Sequence, residues 1–288
     1  KALSVKEELQ NLTSQKKYNI LKQISNEIYA NRKKLAEILC LESAKPLNYA
    51  LAEIDRSAYT FTLAAEESKK DRTEHLALER ILNTDKKEGV VEYFPIGLVA
   101  GIAPFNFPMN LAVHKLAPAI ASGCPIILKP ASRTPLSCLE LAKIIDRTEL
   151  PKGAVSILPM DRVTGNLLVT DDRFKLLSFT GSPEIGWKMK ADSGKKKVVL
   201  ELGGNAATII TQSANLKDAF PKSMMGAFAY SGQICIHAQR FIVHSSIYKM
   251  FIDELKSLTQ NLKSGNPLDT TTDISNMIDV ANAIRVEN

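Results

Sequence analysis

Short apolar segments alternate with helical segments over residues 89–204, and this alternation constrains the fold more than any other feature. The segment Pro125–Leu128, bounded by Gly123 and Pro130, is a run of branched residues typical of a buried parallel strand. Repeated strand–helix units of this kind predict a doubly wound α/β sheet. Predicted strands lie at 125–128, 154–158, 176–179 and 197–202, and predicted helices at 109–121, 136–148 and 165–170, with another after Pro183.

Other patterns precede and follow this alternation. Apolar residues from Val5 to about Lys70 recur at helical spacing, and Pro46 starts a further helix. The polar stretch 71–87 is predicted as a connection, and Gly89–Ala103 as a strand hairpin that turns at Pro95-Ile96-Gly97. A new segment begins after Asn205, with a strand and then a helix at 217–230, a strand at 241–244 and a helix at 247–262.

Composition argues against several classes of protein. The net charge of +6 is mild, and the cluster Lys195-Lys196-Lys197 is interpreted as solvated surface, because no nucleic-acid-binding motif accompanies it. No apolar run is long and uncharged enough to span a bilayer. Cysteine and histidine spacings predict no metal site and indicate a reduced, cytoplasmic protein. The cysteines are Cys40, Cys124, Cys138 and Cys235.

Two glycine-flanked segments carry a carboxylate and a thiol. Glu201-Leu202-Gly203-Gly204 ends a predicted strand, where α/β sheets bind ligands, and Gly232-Gln233-Ile234-Cys235 follows a predicted helix. A thiol acts as a nucleophile only as the thiolate, and its ordinary pKa is about 8.5. A lone cysteine is more often a small buried hydrophobic residue, and this is the interpretation of the other three. The glycine-rich setting and Arg240 favour a nucleophile at Cys235, in an exposed turn.

Two further segments and one glycine-rich turn add to the pattern. Asn106 lies between prolines in Ala103-Pro104-Phe105-Asn106-Phe107-Pro108, and a side-chain amide held in a stiff loop can donate to an oxyanion. Ile127-Leu128-Lys129-Pro130 closes a strand on a lysine. The glycines of 179–186 are spaced like the ends of a Walker motif, but Trp187 stands in place of its lysine, which excludes that chemistry.

Together and in this order, the four segments resemble the NAD(P)-dependent aldehyde dehydrogenase superfamily, and the resemblance runs from about Leu9 to the C-terminus. It implies an aldehyde dehydrogenase-like α/β fold. Residues 1–204 would form the doubly wound NAD(P)-binding domain with N-terminal helices. Residues 205–288 would form the first part of a truncated α/β catalytic domain. The implied activity is oxidation of a small aldehyde to a carboxylic acid with NADP or NAD, in a branch similar to lactaldehyde and semialdehyde dehydrogenases.

The resemblance also assigns roles to individual residues. Cys235 is expected to attack the carbonyl, Asn106 and the Cys235 N–H to form the oxyanion hole, and Glu201 to activate water against the thioester. His237 stands where the family usually has a small residue; a Cys–His dyad, a tunnel-lining role and plain packing all remain open. The residues expected to bind the cofactor are Ile102, Pro104, Phe105, Lys129, Ser132, Gly181, Ser182, Ile185, Gly186 and Leu202.

Ser132 bears on the choice between NAD and NADP. Many NAD-preferring members of the family carry a glutamate at this position, three residues after the cofactor lysine, and its carboxylate would repel a 2′-phosphate. Here the position is Ser132, followed by Arg133. The sequence therefore predicts that NADP is accepted.

Two alternatives stay open at this point. A CoA-acylating aldehyde dehydrogenase would pass the acyl group to CoA, although such enzymes commonly lack the base that Glu201 provides. A catalytically silent or truncated member would keep only the fold. The chain starts at Lys1 and lacks the family's later Glu-x-x-Gly-Pro segment and C-terminal strand, so it is expected to be part of a longer protein. In that protein, the C-terminal strand would pair with the region around Val90–Tyr93 of a partner subunit in a homodimer or homotetramer, so the hairpin strand 89–99 is expected to lie toward the oligomer interface.

Overall fold

The computed structural model describes residues 1–78 and 87–287. Its helices are α1 (Lys6–Gln10), α2 (Ser14–Ala30), α3 (Arg32–Ser43), α4 (Leu47–Glu67), α5 (Pro108–Ala121), α6 (Leu136–Asp146), α7 (Arg162–Thr170), α8 (Pro183–Asp192), α9 (Leu216–Phe228), α10 (Tyr248–Gln260) and α11 (Val280–Glu287). Its strands are β1 (Glu74–Ala77), β2 (Glu88–Val91), β3 (Val99–Ile102), β4 (Ile126–Lys129), β5 (Val155–Ile157), β6 (Leu176–Thr180), β7 (Lys197–Glu201), β8 (Ala207–Ile210) and β9 (Arg240–Val243).

The N-terminal region is a group of packed helices, as its apolar spacing predicts. The side chain of Thr13 caps α2 by accepting from the N–H of Lys16. Ile24 and Ile28 of α2 and Phe61 of α4 are fully buried, and α2 packs along α4. The helical pattern predicted for residues 5–70 is therefore confirmed.

A five-stranded parallel sheet in the order β5-β4-β3-β6-β7 forms the centre of the molecule. Side chains of a strand point alternately to the two faces of a sheet. Val99 belongs to a core cluster shared with α5 and α6, whereas Ala100 and Ile102 belong to a second cluster with α7. Ile185 of α8 packs against that second cluster. Helices therefore cover both faces, and the predicted doubly wound α/β sheet is confirmed.

The hairpin predicted over Gly89–Ala103 is wrong. Strand β2 pairs antiparallel with β1, with Glu74 opposite Val91, while β3 lies in the central sheet. Pro95-Ile96-Gly97 therefore connects two sheets instead of turning a hairpin. The physical reason is burial: all four residues of β3 are buried, whereas β2 alternates between exposed and half-buried positions.

The connection predicted for 71–87 is also corrected in part. It contains β1, a strand whose four residues are all exposed. A short exposed strand with neither a buried face nor an alternation of apolar and polar residues gives little strand signal in a sequence. Positions 79–86 of that connection lie outside the described residues.

The segment after Asn205 follows the predicted order of strands and helices. Strands β8 and β9 pair in parallel, with Ala207 opposite Arg240, and α9 lies between them along the chain. Helix α10 follows β9, and α11 is a further helix that the sequence analysis missed. Outward residues of this small sheet stay exposed, among them Ile209 at 69% and Ile242 at 55%.

Candidate active site

The carboxyl ends of the central strands lie in register at one edge of the sheet. Ile102 of β3 pairs with Lys129 of β4 and with Phe179 of β6, and Thr180 of β6 pairs with Glu201 of β7. The strand order reverses between β3 and β6, and open α/β sheets bind ligands outside such a switch point. Four separate predicted segments therefore end at one crevice.

Glycine is required by packing in the turn after β6 and in the helix that follows it. A Cβ at Gly181 would lie 2.5 Å from the Phe179 ring, and one at Gly186 would lie 2.5 Å from Leu202 Cδ2. The exposed Ser182 is the N-cap of α8, yet its hydroxyl makes no capping hydrogen bond. A helix N-terminus with free N–H groups and an unused hydroxyl can bind an anion such as a phosphate.

Lys129 lies across the crevice with Ser132. Its Nζ is 3.4 Å from the Pro130 carbonyl oxygen and 3.5 Å from Ser132 Oγ. Burial lowers the pKa of Lys129, and the nearby Asp161 opposes the shift. The neighbouring Arg133 is 3.0 Å from a carboxylate oxygen of Asp279 and so already has an anionic partner.

The proline-bounded loop brings Asn106 to the segment that carries Cys235. The Asn106 side-chain N–H donates to the Gln233 carbonyl over 2.9 Å, across 127 residues of chain. Its Oδ1 accepts from the Phe107 N–H. An amide NH₂ carries two donors, so one remains for a ligand. Pro104 and Phe105, half-buried, follow β3 at the switch point.

Cys235 lies in an exposed turn before β9, as predicted. Tyr230 and Ser231 have φ values of 48° and 54°, and Gly232 has 72°, so three successive residues adopt the left-handed conformation. Such backbone is strained for residues with a side chain and is often found at functional sites. A Cβ at Gly204 would lie 3.7 Å from the Cys235 carbonyl oxygen, so the loop after Glu201 runs beside this turn.

The neighbours of Cys235 have local partners. His237 Nδ1 lies 2.6 Å from the Ile234 carbonyl oxygen, so the ring is held by the turn itself. Arg240 donates to the carbonyl and side-chain oxygens of Asn205 and ties β9 to the loop after β7. The other three cysteines are buried, as predicted.

Lys115 is a site residue that the sequence analysis missed. Its Nζ donates to Ser178 Oγ at 3.1 Å and to Thr180 Oγ1 at 2.8 Å, beneath the end of β6. Burial lowers its pKa to about 8, and the charge of Glu201 opposes the shift. The signal was present in the sequence, since Lys115 lies on the apolar face of α5, three residues after Ala112 and one before Leu116.

A large groove lies on the side of the molecule that carries β2. This open groove of about 1140 Å³ runs beside β2 and is lined by Leu63, Tyr93, Phe94 and His114, among others. Residues 1–78 and 87–287 contain no cluster of three potential metal ligands. Across the same residues, no helix has both the length and the apolar character needed to cross a membrane.

Comparison with known proteins identifies the family. The sequence model of the Aldehyde dehydrogenase family matches residues 1–288. A 3-sulfolactaldehyde dehydrogenase of Priestia aryabhattai is 37% identical over 286 residues, which cover 99% of this chain and 60% of the relative.

Two solved structures are similar over the same extent. Aldehyde dehydrogenase 21 from Physcomitrella patens, in complex with the reaction product succinate, has a TM-score of 0.96 and 42% identity, and the match covers 99% of this chain and 60% of that one. Glyceraldehyde-3-phosphate dehydrogenase GapN from Methanocaldococcus jannaschii, complexed with NADP, has a TM-score of 0.95 and 38% identity, and the match covers 99% and 62%.

The chain therefore belongs to the aldehyde dehydrogenase family, which confirms the resemblance inferred from the motifs. The structural matches also confirm the predicted fold class. The chain spans about 60% of the length of the relatives that it matches.

Lys115 predicts a specific pH dependence of stability. Its pKa is about 8 in the folded protein and 10.5 in a free lysine, so between these values the unfolded state binds more protons. The free energy of unfolding should therefore rise with pH across this window, by on the order of 1–3 kcal/mol. Lys115→Met should flatten the rise in urea midpoints, whereas Lys33→Met, an exposed lysine on α3, should preserve it. An equal rise in both variants would contradict the assignment.

Proposed function

We propose that this member of the aldehyde dehydrogenase family contributes the active site of an enzyme that oxidises an aldehyde to a carboxylic acid with NAD(P). Cys235 is the nucleophile, Asn106 an oxyanion donor and Glu201 the base. The observation that carries the proposal is the hydrogen bond from Asn106 to the Gln233 carbonyl, two residues before the thiol. A donor and a nucleophile from distant parts of the chain meet at the sheet edge where Glu201 ends its strand.

The chemistry follows from these three groups. The Cys235 thiolate attacks the aldehyde carbon, and the free N–H of Asn106 and the Cys235 N–H stabilise the negative oxygen. Bound NAD(P) would supply the hydride acceptor that converts the adduct to a thioester. Glu201 then takes a proton from water as that water attacks the thioester. The Glu201 side chain is exposed at the end of β7, so water can reach it.

The residues at the switch point fit a dinucleotide. The Phe179 ring packs against Gly181 and Leu202 packs against Gly186, which holds the turn in place, and the free Ser182 hydroxyl lies at the α8 N-terminus. Lys129 and Ser132 would bind the adenosine ribose from the neighbouring strand. The apolar sides of the site would come from β3 and its loop and from two residues near α8. These residues are Ile102, Pro104, Phe105, Ile185 and Leu202.

Glu201 favours hydrolysis over transfer of the acyl group to CoA. A CoA-acylating enzyme has no use for a base that activates water, and here an exposed carboxylate ends the strand beside the thiol-bearing turn. Retention of Cys235, Glu201 and Asn106 together argues against a silent member that lost its active site. Both alternatives are tested by the Glu201 experiment below.

We also propose that the aldehyde carries a negative charge. Burial lowers the pKa of His114, and the nearby charge of Arg56 lowers it further, so His114 is close to Arg56 and also to Glu201, whose charge opposes the shift. Arg56 and His114 are both exposed, and the guanidinium of Arg56 is the group that keeps its positive charge for an anion. The names of the similar proteins include sulfolactaldehyde and glyceraldehyde 3-phosphate, and one structure contains succinate, all of which are anions.

The proposed domains and assembly extend the sequence predictions. Residues 1–204 contain the central sheet and residues 205–288 a separate two-stranded sheet, which supports a domain boundary after Gly204.

Tyr93 and Phe94 are exposed at 67% and 79% beside β2, which supports a homodimer or homotetramer built on residues 89–99. None of the four cysteines forms a disulfide, which supports a cytoplasmic location.

The catalytic roles predict separable defects. In the complete gene product that carries this chain, Cys235→Ala should abolish turnover, because Cys235 is the exposed thiol at the site. Glu201→Gln should keep the first hydride transfer and slow release of the acid, giving a rapid burst of NAD(P)H followed by slow turnover. Cys124→Ala, at a buried thiol, is the control and should keep activity. Normal turnover in Cys235→Ala would refute the mechanism.

Ser132 predicts that NADP is accepted at least as well as NAD. No carboxylate stands at this position to repel a 2′-phosphate, although Arg133 is already paired with Asp279. Ser132→Glu should lower kcat/KM for NADP by tenfold or more, which is about 1.4 kcal/mol, with little effect on NAD. Steady-state kinetics with both cofactors test this. A hundredfold preference of the unmodified protein for NAD would show that another residue sets the choice.

The basic group predicts a preference between substrates of similar size. Measured kcat/KM should be about tenfold or more higher for 4-oxobutanoate than for pentanal, a difference of about 1.4 kcal/mol. Arg56→Gln should remove most of this preference, whereas Lys33→Gln should leave it intact. Equal efficiency for the two aldehydes in the unmodified protein would exclude an anion-selective site.

A further inference from the structure

A fully buried ion pair lies beneath the proposed site. Lys45, between α3 and α4, contacts Glu53 of α4, and neither side chain is exposed to solvent. Removing both charges from water is costly, and an apolar pair of similar volume would often be as stable. Burial lowers the pKa of Lys45, and the charge of Glu53 opposes that shift. The arrangement therefore calls for an explanation beyond stability.

The cation of Lys45 contacts two aromatic rings that belong to the two loops of the site. Its Nζ lies 3.8 Å from the centre of the Phe107 ring and 4.6 Å from the centre of the Tyr230 ring. The rings meet edge to face with centroids 6.4 Å apart. Phe107 directly follows Asn106, and Tyr230 begins the left-handed turn that leads to Cys235. A desolvated cation attracts the faces of both rings.

The anion of Glu53 binds the other side of the same loop. One oxygen contacts Lys45, and Oε1 accepts from the backbone N–H groups of Met109 at 3.1 Å and Asn110 at 3.0 Å. These groups lie in the first turn of α5, where a carboxylate is favoured. Tyr230 is held from below as well, since its hydroxyl donates to the Ser43 carbonyl at 2.9 Å.

We propose that the Lys45–Glu53 pair is a positioning device that sets the spacing between the Asn106 loop and the Cys235 turn. This inference rests on the proposed function, because that spacing matters when Asn106 and the Cys235 N–H bind one oxyanion. Neither residue touches the reacting atoms. The pair acts through Phe107 and Tyr230 on one side and through the start of α5 on the other.

Two opposite charges perform this role better than apolar residues would. A methionine in place of Lys45 would fill the volume, but it would leave the two rings free to slide. A cation between them favours one arrangement of both rings, and the carboxylate fixes the helix end from which Phe107 projects. Lys45 already holds Phe107 of one loop near Tyr230 of the other. The hydrogen bond from Asn106 to the Gln233 carbonyl then forms between two loops whose spacing is set.

The test replaces the pair without leaving a charge unpaired. Lys45→Met/Glu53→Gln keeps the volumes and an acceptor for the two α5 N–H groups. The matched control is Arg32→Met/Asp55→Asn, which removes the half-exposed ion pair between α3 and α4. Each is made in the complete gene product. Measurements are the single-turnover rate of aldehyde oxidation, KM for NAD(P), the rate of Cys235 alkylation by iodoacetamide, and amide hydrogen exchange.

The expected result separates positioning from folding. The single-turnover rate should fall tenfold or more in the Lys45→Met/Glu53→Gln variant, while KM for NAD(P) and the alkylation rate stay within twofold. Alkylation at a saturated carbon forms no oxyanion, so it reports only an accessible thiol. Exchange should rise at least threefold in residues 104–108 and 229–235. The control should change none of these quantities.

Other outcomes decide against the proposal. An unchanged single-turnover rate, or equal losses of oxidation and alkylation, would overturn it. If the double variant does not fold, Phe107→Leu provides the test, since it removes one of the two rings that Lys45 contacts and keeps the ion pair, and the same rate loss is expected. If the unmodified protein oxidises no aldehyde, the proposed function fails, but the exchange measurement still decides whether the pair holds the two loops.

Discussion

The parallel register of the central sheet is the constraint on which the rest of the structure depends. Because β3, β4, β6 and β7 run in the same direction, their carboxyl ends meet at one edge. Lys129, Thr180 and Glu201, distant in sequence, are brought to that edge by the pairing of their strands. Helices on the two faces of the sheet add further side chains at that edge. Helix α5, for example, contributes Lys115, which donates to Thr180 at the end of β6.

Much of this arrangement can be predicted from the sequence, because burial on both faces leaves a strong local signature. The strand that ends at Lys129 and the glycine turn after Phe179 are predicted from the local order of apolar residues and glycines. The exposed turn at Cys235 follows from the helix that ends before it and from Gly232. Strand pairing outside the central sheet was harder. The exposed strand Glu74–Ala77 carries no apolar pattern, so nothing local predicts that β2 pairs with it.

The sequence analysis also failed to identify the buried charged residues. Lys45, Glu53 and Lys115 look like ordinary surface residues in the sequence, because lysine and glutamate are rarely buried unless paired. Their partners are supplied by other elements of the fold: Glu53 binds the start of α5, and Lys115 binds hydroxyls of β6. A charged residue on the apolar face of a helix is a sequence signal that identifies Lys115, whereas Lys45 lies between two helices and carries no such signal.

The contact between Asn106 and Gln233 spans 127 residues, and this separation orders events during synthesis. A ribosome adds residues at about 5–20 per second, so the prolyl loop and the strands around it emerge several seconds before the thiol does. The sheet can fold during that interval, since its crossovers are complete by Glu201. Cys235 therefore joins a crevice that already exists, and its thiol stays exposed once the turn has formed.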